Sequence, residues 1–153
     1  MNTKRKGLMT MKVEQISVFL ENKPGTLQQA TRVLKDANIN IRTLSVAETA
    51  NFGILRLIVN DVEKANTVLK DSGFQVSKTP VVAVEVPDRP GGLHSVMEAV
   101  SKEGINVEYV YAFVEKSGEN AVIIFRFDNP EKAIDVLMKN DFTVVPGKKL
   151  YEF

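Results

Sequence analysis

From Val13 to Leu20 the apolar residues Ile16, Val18 and Leu20 alternate with the polar Gln15 and Ser17, which is the two-residue period of a half-buried strand. Beyond Pro24-Gly25 the period lengthens: Leu27, Ala30, Val33, Leu34 and Ala37 fall on one helical stripe. The spacing predicts a helix starting at Thr26, with Thr26 and Gln29 in capping-box positions and Asn38 placed to stop it. Ile39 and Ile41, then Leu44 and Val46, predict a second strand, and Ile54 to Val59, broken by Arg56, a third. Ala50-Asn51-Phe52-Gly53 reads as the turn joining them into a hairpin. Asp61 can cap a helix with the stripe Val62, Ala65, Val68 and Leu69, Gly73 ends it, and Phe74 and Val76 open a fourth strand.

The second half repeats this order. Val82, Val84 and Val86 alternate, Leu93, Val96, Met97 and Val100 form a helical stripe, and Gly104 stops it. Ile105, Val107, Tyr109, Tyr111 and Phe113 alternate, Ser117-Gly118-Glu119-Asn120 is turn-like, and Ala121, Ile123, Phe125 and Phe127 alternate again. Asn129-Pro130 then starts a helix, with a cap residue followed by proline in the first turn.

The two halves share words as well as order. Pro24-Gly25-Thr26-Leu27 returns as Pro90-Gly91-Gly92-Leu93, and Ile39-Asn40-Ile41 as Ile105-Asn106-Val107, both 66 residues on. Glu63-Lys64-Ala65 matches Glu131-Lys132-Ala133, Phe74 matches Phe142, and Arg56 matches Arg126. Each half therefore reads as β-α-β-β-α-β, an antiparallel sheet with two helices on one face, and the chain as two tandem ferredoxin-like units of the α+β class. The boundaries follow: a loose tail over 1–10, one domain over 11–79 and a second over 80–153, with no flexible linker between the domains.

Composition narrows the function. With 20 basic against 19 acidic residues the formal net charge is +1, which removes the electrostatic argument for nucleic-acid binding. The chain has no cysteine and one histidine, His94, so thiolate chemistry is excluded and a zinc site of the usual kind lacks ligands. No cofactor is expected. No apolar run approaches the roughly 20 residues that span a bilayer, and no secretory signal is evident, so a cytoplasmic protein with no membrane partner is expected.

The repeated Pro-Gly carries the chemistry. It stands where a strand gives way to a helix whose first amides lack partners within the helix, a place that favours a carboxylate or phosphate. Glycine there removes the Cβ that would hold a ligand off and permits positive φ. Asn40 and Asn106, at the start of each second strand, are expected near the same end of the sheet, offering donor and acceptor groups to an α-amino and α-carboxylate pair.

Asn-Lys-Pro-Gly-Thr-Leu, a helix, Asn-Ile-Asn-Ile and a hairpin together resemble the ACT domain, a regulatory amino-acid-binding module. Asp-Arg-Pro-Gly-Gly-Leu with Gly-Ile-Asn-Val resembles it again, so the likeness covers Met11 to Phe153 as a tandem pair. The resemblance implies a non-catalytic protein that binds a free amino acid at the loops after the first strands and at the domain boundary. It implies one site at Asn22, Gly25, Thr26, Leu27 and Asn40 and another at Asp88, Gly91, Gly92, Leu93 and Asn106. Asp88 stands where the first copy has Asn22; a carboxylate there repels a ligand carboxylate, so the two sites differ in affinity or one stands vacant. Assembly as a homodimer is implied too, since exposed sheet edges need covering.

Plainer readings stand beside these. Pro-Gly can serve the turn alone, and Asn40 and Asn106 can cap through the backbone. His94 reads as solvent-facing, and Tyr109, Tyr111 and Phe113 as packing residues before base-stacking ones. Arg56 and Arg126 suit solvent or a neighbouring subunit; an acylphosphatase-like enzyme would need a phosphate-binding loop that is not evident. The alternatives to an amino-acid sensor are a regulatory subunit that binds an amino-acid metabolic enzyme, or an interaction module without a small ligand.

Overall fold

Where the sequence predicts a loose tail, the chain forms a helix, α1 (Thr3–Met11). A computed structural model describes residues 2–113 and 118–152; Ser117 of the second predicted turn, like Met1 and Phe153, lies outside them. The chain divides into two compact units, one of Glu14–Thr79, the other running from Pro80 onward and including the segment before Glu14. α1 belongs to this second unit although it precedes the first. Its Leu8 and Met11 pack against the second unit's core, and Lys12 Nζ lies 2.9 Å from Glu131 Oε1.

In the first unit, β1 (Val13–Glu21) leads into α2 (Thr26–Asp36), then the hairpin β2 (Ile41–Glu48) and β3 (Phe52–Val59), then α3 (Val62–Asp71). The strand order is β2-β3-β1, with the opening residues of β4 (Gln75–Pro87) beside β1. The register pairs Ile16 with Leu57 and Val18 with Leu55, so the alternation read from sequence places these four on one face, where all are fully buried. Ala30, Leu34, Ala65 and Leu69 supply the buried stripes of α2 and α3. The hairpin turn is tighter than predicted, because Phe52 already belongs to β3 and Thr49 closes the turn through its amide, 2.7 Å from the Phe52 carbonyl.

The second unit repeats the plan with α4 (Gly92–Lys102), β5 (Val107–Ala112), β6 (Asn120–Phe127), α5 (Pro130–Lys139), a two-residue β7 (Val144–Val145) and a terminal α6 (Gly147–Glu152). β4 pairs with β6 on one side and β7 on the other, and β5 pairs with β6. Val82, Val84, Phe125, Phe127, Ile134 and Leu137 form its core, the two phenylalanine rings stacked at 5.3 Å. The two strands predicted on either side of Thr79-Pro80 are one continuous strand of 13 residues.

Helices α2, α3, α4 and α5 all stop on a left-handed residue: Asn38, Gly73, Gly104 and Asp141. In each case the next amide turns back to the carbonyl five residues earlier, as in Ile39 to Leu34 and Ile105 to Val100. This bond satisfies a carbonyl the helix leaves open. The architecture is the α+β, ferredoxin-like pair that the periodicities predict.

Candidate functional site

The turns after β1 and β4 are built alike. Glu21 and Pro87 accept from the amides of Lys23 and Arg89, and the chain then reverses through Gly25 at φ 88° and Gly91 at φ 87°. These glycines occupy the N-cap positions of α2 and α4, and neither helix has a side-chain cap. The capping box expected of Thr26 and Gln29 is therefore absent. Thr26 is the first helical residue, and its hydroxyl donates back to the Lys23 carbonyl at 3.2 Å. Gly25, Leu27 and Gln28 in one loop, and Gly91, Leu93 and His94 in the other, keep amides with no acceptor among the described residues. Such amides, at the positive end of a helix, can receive a carboxylate.

The other two repeated helices differ at this point. Asp61 caps α3 by accepting from the Lys64 amide at 3.0 Å, and Asn129 caps α5 by accepting from the Lys132 amide at 3.1 Å. Two helix starts are closed by their own side chains and two are left open.

Asn40 and Asn106 are not with the loops. α2 carries the chain back along the sheet before β2 begins, so Asn40 sits where β3 ends, its amide held by Asn60 Oδ1 at 2.9 Å. The loop sits where β3 begins, with Glu21 opposite Phe52. The seven steps of β3 between these ends span about 24 Å. Asn106 repeats the arrangement, its amide bonded to Asp128 Oδ1 at 3.1 Å. The expectation that both asparagines face the loop-bound ligand fails within each unit.

Asn22 is at the loop, but its amide group serves the β2–β3 turn, donating to the carbonyls of Thr49 at 3.0 Å and Ala50 at 3.5 Å. Aspartate cannot donate in this way, so the Asn22 and Asp88 difference first alters how the loop is tied to its hairpin. Leu27 and Leu93 are both exposed beside the open amides. Thr26 and Gly92 differ in closeness of approach: a Cβ on Gly92 would lie 2.0 Å from the Pro87 carbonyl oxygen, so α4 sits against the strand end at a distance only glycine allows.

A cleft of about 370 Å³ opens beside the first loop. Phe19, Phe52 and Phe74 give it an apolar lining, and Glu21, Lys23 and Ser72-Gly73, where α3 ends, also border it. Lys23 Nζ and Glu21 Oε2 are paired at 2.5 Å. Sequence reasoning missed Phe19 and Phe52, although Phe19 is an aromatic ring in the polar row Ser17, Phe19, Glu21. Beside the second loop lies a depression of about 580 Å³ lined by Pro87, Asp88, Arg89, Gly118, Glu119 and Asn120.

The sequence matches the ACT domain pair family over residues 11–153. The chain belongs to this family. Its fold is similar to that of a Bacteroides thetaiotaomicron protein with a TM-score of 0.87 and 41% identity, over 94% of this chain and 98% of that one. The regulatory subunit of aspartate kinase from Thermus thermophilus shares the fold at 16% identity, with a TM-score of 0.60 over 82% of this chain and 91% of that one. The aspartokinase alpha and beta subunits do so at 18% identity, with a TM-score of 0.56 over 82% of this chain and 90% of that one. No curated protein matches the chain. Among the described residues, no helix is long and apolar enough to cross a membrane.

ACT domains are regulatory modules, and several polar residues of this ACT pair outside the loops make structural contacts. Arg126 pairs with Glu108 at 3.1 Å and donates to the Pro80 carbonyl at 2.8 Å. Tyr109 and Tyr111 lie half-buried with rings 6.5 Å apart, and His94 is exposed in the first turn of α4. The Lys12 ammonium holds the Glu131 carboxyl below its ordinary range, and Lys139 does the same to Asp135. Both effects lie on the α1–α5 side of the second unit.

Proposed function

We propose that this ACT pair is a non-catalytic regulatory protein that binds a free amino acid at its open helix starts and passes occupancy to a second copy of itself or to an amino-acid metabolic enzyme. The observation that carries the reading is the contrast within one chain: α3 and α5 are capped by Asp61 and Asn129, whereas α2 and α4 begin at left-handed glycines and leave three amides each unclaimed. A ligand carboxylate would take the place of the missing cap. Its α-amino group would be met at the loop rim, by Glu21 in the first unit and Asp88 in the second, and the sites are Asn22, Gly25, Thr26 and Leu27 with their counterparts Asp88, Gly91, Gly92 and Leu93. Gly92 contributes backbone closeness and Asn22 loop anchoring.

A thermal-shift screen of the twenty amino acids tests it. A ligand at about 100 times its dissociation constant stabilises the fold by about 2.7 kcal/mol. Absence of any shift at millimolar concentration would refute the sensor reading. Replacing Gly25 by Val adds a branched side chain at φ 88° and should abolish the first site; unchanged binding would remove the site assignment. Homodimer formation and a cytoplasmic location belong to the same proposal, and sedimentation with and without the stabilising amino acid measures the former.

A further inference from the structure

The strand registers align the two units residue for residue, and they place Arg56 on Ile124, so its match to Arg126 in the sequence is not a match of position. In the first, Phe19 lies opposite Ile54 and Glu21 opposite Phe52; in the second, Glu85 lies opposite Val122 and Pro87 opposite Asn120. Phe19 and Phe52 therefore correspond to Glu85 and Asn120. The first pair is aromatic, with ring centroids 5.0 Å apart; the second is polar, with the Asn120 amide 3.4 Å from the Glu85 carboxylate. Phe19 and Phe52 are 43% and 44% exposed, on the sheet face opposite buried Val18 and Leu20. The first unit's core does not use them, and large exposed apolar groups together mark a binding surface.

Their surroundings suit a zwitterion. The first turn of α2 borders the cleft through Thr26, and the open amides of Gly25, Leu27 and Gln28 belong to that same helix start, the positive end of its dipole. The C-terminal end of α3, at Ser72-Gly73, offers negative potential, and the Glu21–Lys23 ion pair borders the cleft with charge of both signs. A volume of about 370 Å³ falls within the range of about 300–1,000 Å³ usual for small-molecule sites. We infer that the first unit selects an amino acid with an aromatic side chain, its ring set against Phe19, Phe52 and Phe74, and that the second unit lacks this selectivity because Glu85 and Asn120 hold the equivalent ground. This rests on the amino-acid-binding reading above and names its ligand class.

The chain has no tryptophan, so the emission of added L-tryptophan, excited beyond the tyrosine absorption band, reports its own binding. Titration of the full chain should show L-tryptophan, L-phenylalanine and L-tyrosine binding at least about tenfold tighter than L-serine or L-aspartate. The double variant Phe19→Glu with Phe52→Asn, which installs the second unit's pair at exposed positions, should erase that preference while its melting curve stays cooperative. Phe52→Asn alone should lower aromatic affinity and spare serine, a second check should the double variant not fold. Amino-acid binding with no aromatic preference, or a preference that survives in Phe52→Asn, overturns this inference and leaves the sensor reading intact. Binding of no amino acid overturns both. A loss of dimer in Phe52→Asn with aromatic affinity unchanged also overturns it and assigns the rings to contact between copies.

Discussion

Replacing Gly92 by Ala asks whether the second loop depends on close approach of helix and strand. At this first residue of α4, φ is not positive, so backbone conformation does not forbid a side chain. Helix propensity alone would favour alanine by up to about 1 kcal/mol. Space decides otherwise: the new Cβ would sit 2.0 Å from the Pro87 carbonyl oxygen, 3.1 Å from its carbon and 3.3 Å from Val86 Cγ1. Two of these neighbours are backbone, which cannot swing aside, so α4 must move off the end of β4. Overpacking of this kind costs about 1–3 kcal/mol, and a backbone clash belongs at the upper end. A net loss of about 2–3 kcal/mol lowers the melting temperature of a chain this size by about 4–12 °C.

Calorimetry of the variant against the parent chain measures it, with Thr26→Gly as the first-unit control. Position 26 already carries a side chain, so that change relieves no clash and should cost no more than about 1 kcal/mol. A Gly92→Ala protein melting at or above the parent would show that the second loop is no tighter than the first. The account of Gly92 as a packing residue would then be wrong.

Three further outcomes can be measured. Asp61→Ala and Asn129→Ala should each cost about 1 kcal/mol in urea unfolding, because each removes the side-chain cap at the start of its helix; a change within error in both would refute the capped-versus-open distinction. Glu131→Gln should lower the melting temperature at pH 7 but not at pH 3. Lys12 lowers the folded-state pKa of Glu131 below its unfolded value, so the pair's contribution is complete above the ordinary carboxylate range and fades as pH falls through the lowered value; an equal effect at both pH values would refute the ion-pair account. Leu34→Ala, at a 1% exposed core position, should cost about 2–5 kcal/mol by chemical denaturation, and a loss below about 1 kcal/mol would argue that α2 is not seated on the sheet as described.

The period of apolar residues was enough to locate β1, α2, β3, α3 and their repeats, because each buries its stripe on its own unit and the pattern is local. Partners distant in sequence were hidden. α1 has Gly7 at its middle and a weak apolar stripe, and nothing near it in the chain explains why it folds. Its support is Glu131, 119 residues from Lys12, with Leu8 and Met11 on the second unit's core. The boundary at Pro80 hid the continuity of β4, since proline ordinarily interrupts a strand. Asn40 was misplaced for a different reason. Nearness to the motif in sequence was read as nearness in space, yet an 11-residue helix rises about 16 Å, enough to carry the chain to the far end of the sheet.

What survives of the proposed site is the part that depends on backbone. A side-chain cap is a common and inexpensive way to finish a helix start, and this chain uses one at α3 and again at α5 in the equivalent position of each repeat. At α2 and α4 it uses a glycine with φ near 90° instead, which leaves amides unmet and places no side chain over them. Glycine at a helix start gives up only about a few tenths of a kcal/mol against an aspartate or asparagine cap, so the chain leaves these amides open with little loss of stability. Duplication makes the point stronger: the glycine and the open amides occur in both copies, while neighbouring residues such as Phe19 and Glu85, or Asn22 and Asp88, have diverged. The shared backbone is the part that would meet an amino acid's common carboxylate, and the divergent rim is the part that would meet its side chain.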